Sequence, residues 1–95
     1  FNNLTPAQAE RLAILAEEAG EVVHIIGKIL RHGFDSYNPY DKERTTNRRL
    51  LEKELGDLNW IKIKLALSGD ISLDKVRYHS ESKGLEVRKF LHHQP

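Results

Sequence analysis

Glu18 and Glu21 are three residues apart, and so are Glu54 and Asp57. At that spacing an α-helix projects both carboxylates from one face. Neither pair has a polar setting. Glu18 falls among Ile14, Val22, Ile25 and Ile29, with Glu21 at the margin of that arc. Glu54 falls among Leu51, Leu55, Leu58 and Ile61, with Asp57 on its shoulder. If the two faces pack together, four acids meet in a partly dry interior. Their repulsion and lost hydration cost several kcal/mol per ion unless a counter-charge is supplied. A hard divalent cation supplies it. Oxygen ligands alone, with no cysteine and no histidine cluster among them, favour Mg2+ or Mn2+ over zinc. The pair Glu21 and His24 has the Glu-x-x-His form of di-iron helical bundles, but such bundles use the motif twice and only Glu54-x-x-Asp57 is available as its partner. His24 is then a surface residue.

The acids need two long helices to carry them. Thr5, Pro6 and Gln8 make a helix start with a capping box, so the first helix is expected from Pro6 to about His32, with Gly33 as its stop. From Gly33 to Thr46 the turn formers Asp35, Ser36, Asn38 and Pro39 read as a surface loop. Thr46 or Asn47 caps a second helix from Arg48 to about Leu67, ended at Gly69. Ser72 caps a third, whose apolar stripe runs through Leu73, Val76, Ser80, Val87, Phe90 and Leu91. No segment alternates as a strand does. The fold expected is all-α, one domain over 1–95, a bundle of three helices, or four if Gly84 splits the third.

On the first helix the apolar centre is Leu12, Ala19, Val23, Ile26 and Leu30. The stretches EAGEV (Glu18 to Val22) and ELGDL (Glu54 to Leu58) echo each other, each with a glycine inside a helix. Such a glycine costs about 1 kcal/mol against alanine. Close approach of two helix backbones is the expected reason.

At 95 residues the chain buries only about 60–65% of its unfolded surface, so its core is marginal and self-association is expected. Lysine and arginine (15) nearly balance aspartate and glutamate (14), which removes any global field for nucleic acid or an anionic membrane. No apolar run is long enough to span a bilayer, and no cysteine framework points to an oxidising compartment. A cytosolic location is expected.

Glu-x-x-Glu followed on the next long helix by Glu-x-x-Asp resembles the MazG-like all-α nucleoside triphosphate pyrophosphohydrolases. The matching stretches are EEAGEV, with Glu18 and Glu21, and EKELGDL, with Glu54 and Asp57, and the similarity spans roughly residues 10 to 68. The resemblance implies metal-dependent hydrolysis between the α and β phosphates of a nucleoside triphosphate, giving the monophosphate and pyrophosphate. It also implies dimers or tetramers with sites near subunit interfaces. The small size looks like the stand-alone and phage-type members, which places the protein in the cytoplasm, the host's if phage-encoded. The loop from Gly33 to Thr46 exceeds the family's usual connection.

On that reading Glu18, Glu21, Glu54 and Asp57 hold two or more Mg2+ or Mn2+ ions, and Glu17, rotated about 100° from Glu18, assists a water or is simply solvated. Lys83, in the apolar stripe of the third helix, either snorkels or binds phosphate, with Arg77 a weaker candidate. Trp60 stacks on a base or belongs to the core or an interface, and Phe34, Tyr37, Asn38 and Tyr40 offer another such surface. These aromatic groups suit a purine such as dGTP or GTP. The sister branches acting on deoxyuridine triphosphate or phosphoribosyl-ATP, and a non-catalytic helical dimerisation module, are the alternatives.

Overall fold

The capping box at Thr5 forms: its hydroxyl accepts from the Gln8 N–H at 3.1 Å, and the Gln8 side chain accepts from the Thr5 N–H at 2.8 Å. From there, in a computed structural model that describes residues 2–95, helix α1 runs Pro6–His32. Gly33 ends it, with φ +90°, a backbone conformation that L side chains rarely adopt, and its N–H donates to Ile29 O at 2.7 Å. Thr46 caps α2, Asn47–Leu67, through Arg49 N–H, and Ser72 caps α3, Leu73–Val87, through Lys75 N–H. A short 3-10 turn, Arg88–Phe90, follows. Gly84 does not split α3, which continues through it for another helical stretch. The penalty of one glycine is small beside the hydrogen bonds of an unbroken helix.

The described residues contain helices and no strand, so the chain is all-α with three α-helices. Helices α1 and α2 form an antiparallel hairpin, tied at both ends. At the loop end, Asn47 N–H donates to Ser36 O (2.9 Å), Arg48 N–H to Phe34 O (2.8 Å), and buried Asn47 donates its Nδ2 to Gly33 O (3.1 Å). Within the loop, Asp41 accepts from Glu43 N–H at 3.0 Å and Thr45 N–H at 2.8 Å. At the other end, Arg11 grips Asp70 with two parallel bonds, Nε to Oδ2 at 2.6 Å and Nη2 to Oδ1 at 3.0 Å. Both side chains are more than four-fifths shielded, at 17% and 14% exposed. Bidentate geometry of this kind is the strong form of an ion pair.

That clamp makes a prediction. The hydrogen bond from Arg11, first among the causes, holds the Asp70 carboxyl below its ordinary value of 3.8. Its contribution is therefore present above 3.8 and lost as pH falls through the lower folded value. Arg11→Ala is expected to lower the thermal midpoint by several degrees at pH 7, and by much less at a pH where Asp70 is protonated. Circular dichroism melts at the two pH values check it.

The apolar core between α1 and α2 is small: among the described residues only Ile25, Ile61 and Leu65 are buried hydrophobic side chains. Two expectations are corrected by this packing. The stripe centred on Leu12, Val23, Ile26 and Leu30 does not face α2; α2 lies on the neighbouring flank around Ile25, and the stripe stays exposed, Leu30 at 82%. Nor do Gly20 and Gly56 mark a close approach, since a Cβ added at either would meet nothing within 4 Å. Helix α3 makes little contact with the hairpin. Its stripe of Leu73, Ser80, Phe90 and Leu91 is exposed, with Val76 and Val87 half-buried. The shape follows: a radius of gyration of 16.8 Å, against about 12–13 Å for a compact domain of this length.

Candidate metal centre

Glu18 is two turns before Ile25 on the α1 face that meets α2, and Glu54 faces it from α2, likewise two turns before the fully buried Ile61. Helical periodicity that puts the isoleucines inside therefore puts these acids at the seam. Asp57, three residues on from Glu54, is half-buried beside them. One carboxylate oxygen from each of Glu18, Glu54 and Asp57 lies within 4.8 Å of the others, the one such group among the described residues. Burial first, then the charges of Asp57 and Glu54, raise the Glu18 carboxyl above its ordinary value of 4.5. The folded chain thus holds this proton more tightly than the unfolded one. Without a cation, Glu18 lowers stability as pH climbs from 4.5 through its folded value, the reverse of Asp70.

One cation is already there. Lys53 places Nζ 2.8 Å from Asp57 Oδ2 and 3.7 Å from Glu54 Oε1. The hydrogen bond to Asp57, followed by the charges of Asp57 and Glu54, raises the Lys53 ammonium above its ordinary range. Sequence reasoning passed over Lys53, although its position four residues before Asp57 is the standard spacing for a helical ion pair. Three hard oxygens from two rigid helices, clustered tightly enough to disturb a proton equilibrium and to draw in an ammonium group, fit a divalent cation of the Mg2+ or Mn2+ kind.

The other expected site residues are placed differently. Glu21 is exposed and outside the three-acid group, so four acids do not converge. Glu17 is exposed beside Glu18. Trp60, one turn after Asp57, is 59% exposed and belongs to no core in this chain. Lys83 and Arg77 are exposed on α3, and no hydrogen bond or ion pair joins them to the carboxylates among the described residues. Helix α3, which carries them, makes little contact with the hairpin.

Two helices presenting Glu18 against Glu54 and Asp57, with no strand among the described residues, define an acidic helical hairpin with the ligand types for a divalent cation. The chain belongs to the MazG nucleotide pyrophosphohydrolase family: the MazG nucleotide pyrophosphohydrolase domain matches residues 7–89. That match covers α1 from its second residue, all of α2 and α3, and every acid named above. Neither a curated protein nor a solved structure gave a match. Among the described residues, no helix is long and apolar enough to cross a membrane.

Proposed function

We propose that this protein hydrolyses a nucleoside triphosphate between its α and β phosphates, with a divalent metal, to give the monophosphate and pyrophosphate. The observation that carries the reading is the convergence of Glu18, Glu54 and Asp57 in a chain of the MazG family. When bound, Mg2+ or Mn2+ would draw charge from the phosphate oxygens and acidify a water. The chain's own residues hold and orient. Glu18 and Glu54 offer oxygens from the helix seam, Asp57 from its edge, and Glu21, one turn after Glu18, from the rim. Glu17, exposed beside Glu18, would accept a hydrogen bond from the attacking water. Trp60 and the exposed Tyr37 and Tyr40 are stacking surfaces for a purine base.

Lys53 stands where a cation would be held and competes with it. Lys53→Gln removes that competitor and leaves the acids to repel one another, so Mn2+ affinity is expected to rise several-fold. Electron paramagnetic resonance titration of free Mn2+ measures it, and weaker binding in the variant would make Lys53 a support of the site instead.

We also propose a dimer or tetramer. The single chain exposes 8113 Å2, whereas a compact monomer of 11.0 kDa exposes about 5,600 Å2. The difference is of the order that obligate interfaces bury.

The test is incubation with the eight common ribo- and deoxyribonucleoside triphosphates, and with dUTP, each with Mg2+ or Mn2+, and with products separated by ion exchange. Monophosphate plus pyrophosphate from one or a few purine nucleotides supports the reading in full. Turnover of dUTP alone would move the substrate to the sister branch, and no turnover of any nucleotide would refute the activity.

A further inference from the structure

We propose that the loop end of the hairpin carries a second site, independent of metal, for a compact phosphate-bearing polyanion, built on Lys28, Arg31 and His32. At spacings of three and four residues these three share one face of α1. They line an open cavity of about 470 Å3 whose opposite wall is Tyr37, Asn38 and Asn47. That volume is within the range of small-ligand sites.

The charge in this cavity is one-sided. No acidic residue lines it, and among the described residues Lys28, Arg31 and His32 make no ion pair. Of the loop's three carboxylates, Glu43 is exposed and does not line the cavity, and the other two are engaged elsewhere. Asp35 pairs with Arg48 at 3.4 Å, and Asp41 accepts from the Glu43 and Thr45 N–H groups, which hold its carboxyl below the ordinary range. The Arg31 guanidinium folds back over Gly27, where Nη1 would lie 3.4 Å from a Cβ. A glycine at that point leaves the helix surface open for it. The wall is firm rather than loose, because buried Asn47 is bonded through its Nδ2 to Gly33 O and through its N–H to Ser36 O.

A guanidinium, an ammonium and an imidazole around one concavity suit an anion of high charge density with several oxygens. A single carboxylate would leave most of that charge unanswered. An extended polyanion such as a nucleic acid backbone needs a basic track, whereas here the cations are gathered at one hollow and the whole chain has a formal charge of only +1. Lys28 lies ten residues beyond Glu18, about 15 Å along the helix. The phosphates could therefore come from the tail of a nucleotide seated at the carboxylates or from a separate molecule.

The experiment uses inorganic pyrophosphate titrated calorimetrically into the protein in EDTA at low salt, where bare carboxylates repel the ligand. It does not depend on any hydrolytic activity. Binding to the wild type and to Glu54→Gln, weakened at least tenfold in Lys28→Gln/Arg31→Gln, is the expected result. No binding without metal, or binding untouched by the double variant, would overturn the site. As a check that needs no variant, pyrophosphate should shift backbone amide resonances of residues 28–38; shifts confined to 17–21 and 53–57 would also overturn it. A non-hydrolysable nucleotide with Mg2+ then identifies the source. One nucleotide per chain, weakened by the double variant, assigns the cavity to the substrate's tail, and two per chain, one of them lost in that variant, assigns it to a separate nucleotide.

Discussion

Glu54→Gln is expected to lower kcat/KM for the nucleotide by about a thousandfold, the upper range for removing one charge-stabilising group from a site of this kind, with little loss of fold. The substitution keeps the side chain's size and removes its charge at the seam, where Glu54 is only 15% exposed and faces Glu18. In the absence of metal the variant should be the more stable protein, because one of the charges repelling the Glu18 carboxylate has gone. With metal the order reverses. A ligand that binds only the folded chain adds RT ln(1 + [L]/Kd), about 2.7 kcal/mol at a hundredfold excess over Kd. For a domain of this size that is about 10 °C or more in the melting midpoint. The wild type should gain it and Glu54→Gln should not. The gain should also grow as pH rises past the raised value of Glu18, since a protonated carboxyl is a poor ligand. Thermal melts with Mn2+ against EDTA, across pH, read all of this, and equal metal stabilisation in the two proteins would remove Glu54 from the ligand set. Glu21→Gln is expected to cost less, because Glu21 lies outside the clustered oxygens.

Leu30→Glu tests the exposed stripe. In an isolated chain, a glutamate in place of a leucine that is 82% exposed should be neutral or favourable. If Val23, Ile26 and Leu30 are covered by a second copy, the same change forfeits about 1.5–3 kcal/mol of apolar burial and buries a charge twice in a symmetric interface. The expected result is a shift to monomer in sedimentation analysis and a fall of more than about 10 °C in melting midpoint. The wild-type midpoint should rise with protein concentration and that of the variant should not. A wild type that sediments as a monomer at all concentrations would show that the stripe is not an interface between copies.

The features legible in the sequence were those whose physics is local. Thr5 with Gln8, Thr46 and Ser72 cap helices with their own neighbours, and Gly33 and Gly69 take positive φ where the chain must leave a helix. The meeting of Glu18 with Glu54 and Asp57 was legible too, because periodicity assigns each to the buried side of its helix. What periodicity could not decide was which part of a wide apolar arc faces which neighbour. On α1 both the Ile25 flank and the Leu30 stripe are apolar, and only one can meet α2. The same ambiguity holds for Lys83 and Arg77, whose approach to the acids depends on how α3 packs and not on any local pattern. Lys53 escaped notice because a lysine on a charged helix looks solvated until its Nζ is seen 2.8 Å from Asp57.

The pinned connection between α1 and α2 bears on how the protein meets a protease. Lys42 and Arg44 lie in an exposed loop and should be cut readily by trypsin on composition alone. A protease, however, must draw a stretch of chain into extended form, and here that means breaking the bonds to Asp41 as well as those from Asn47 and Arg48 to the loop carbonyls. Local opening of this kind is what sets cleavage in a folded chain. Nicking is therefore expected first at Arg88 and Lys89, beyond the end of α3, leaving a trimmed three-helix chain that keeps its acids, its basic hollow and the connection between them intact.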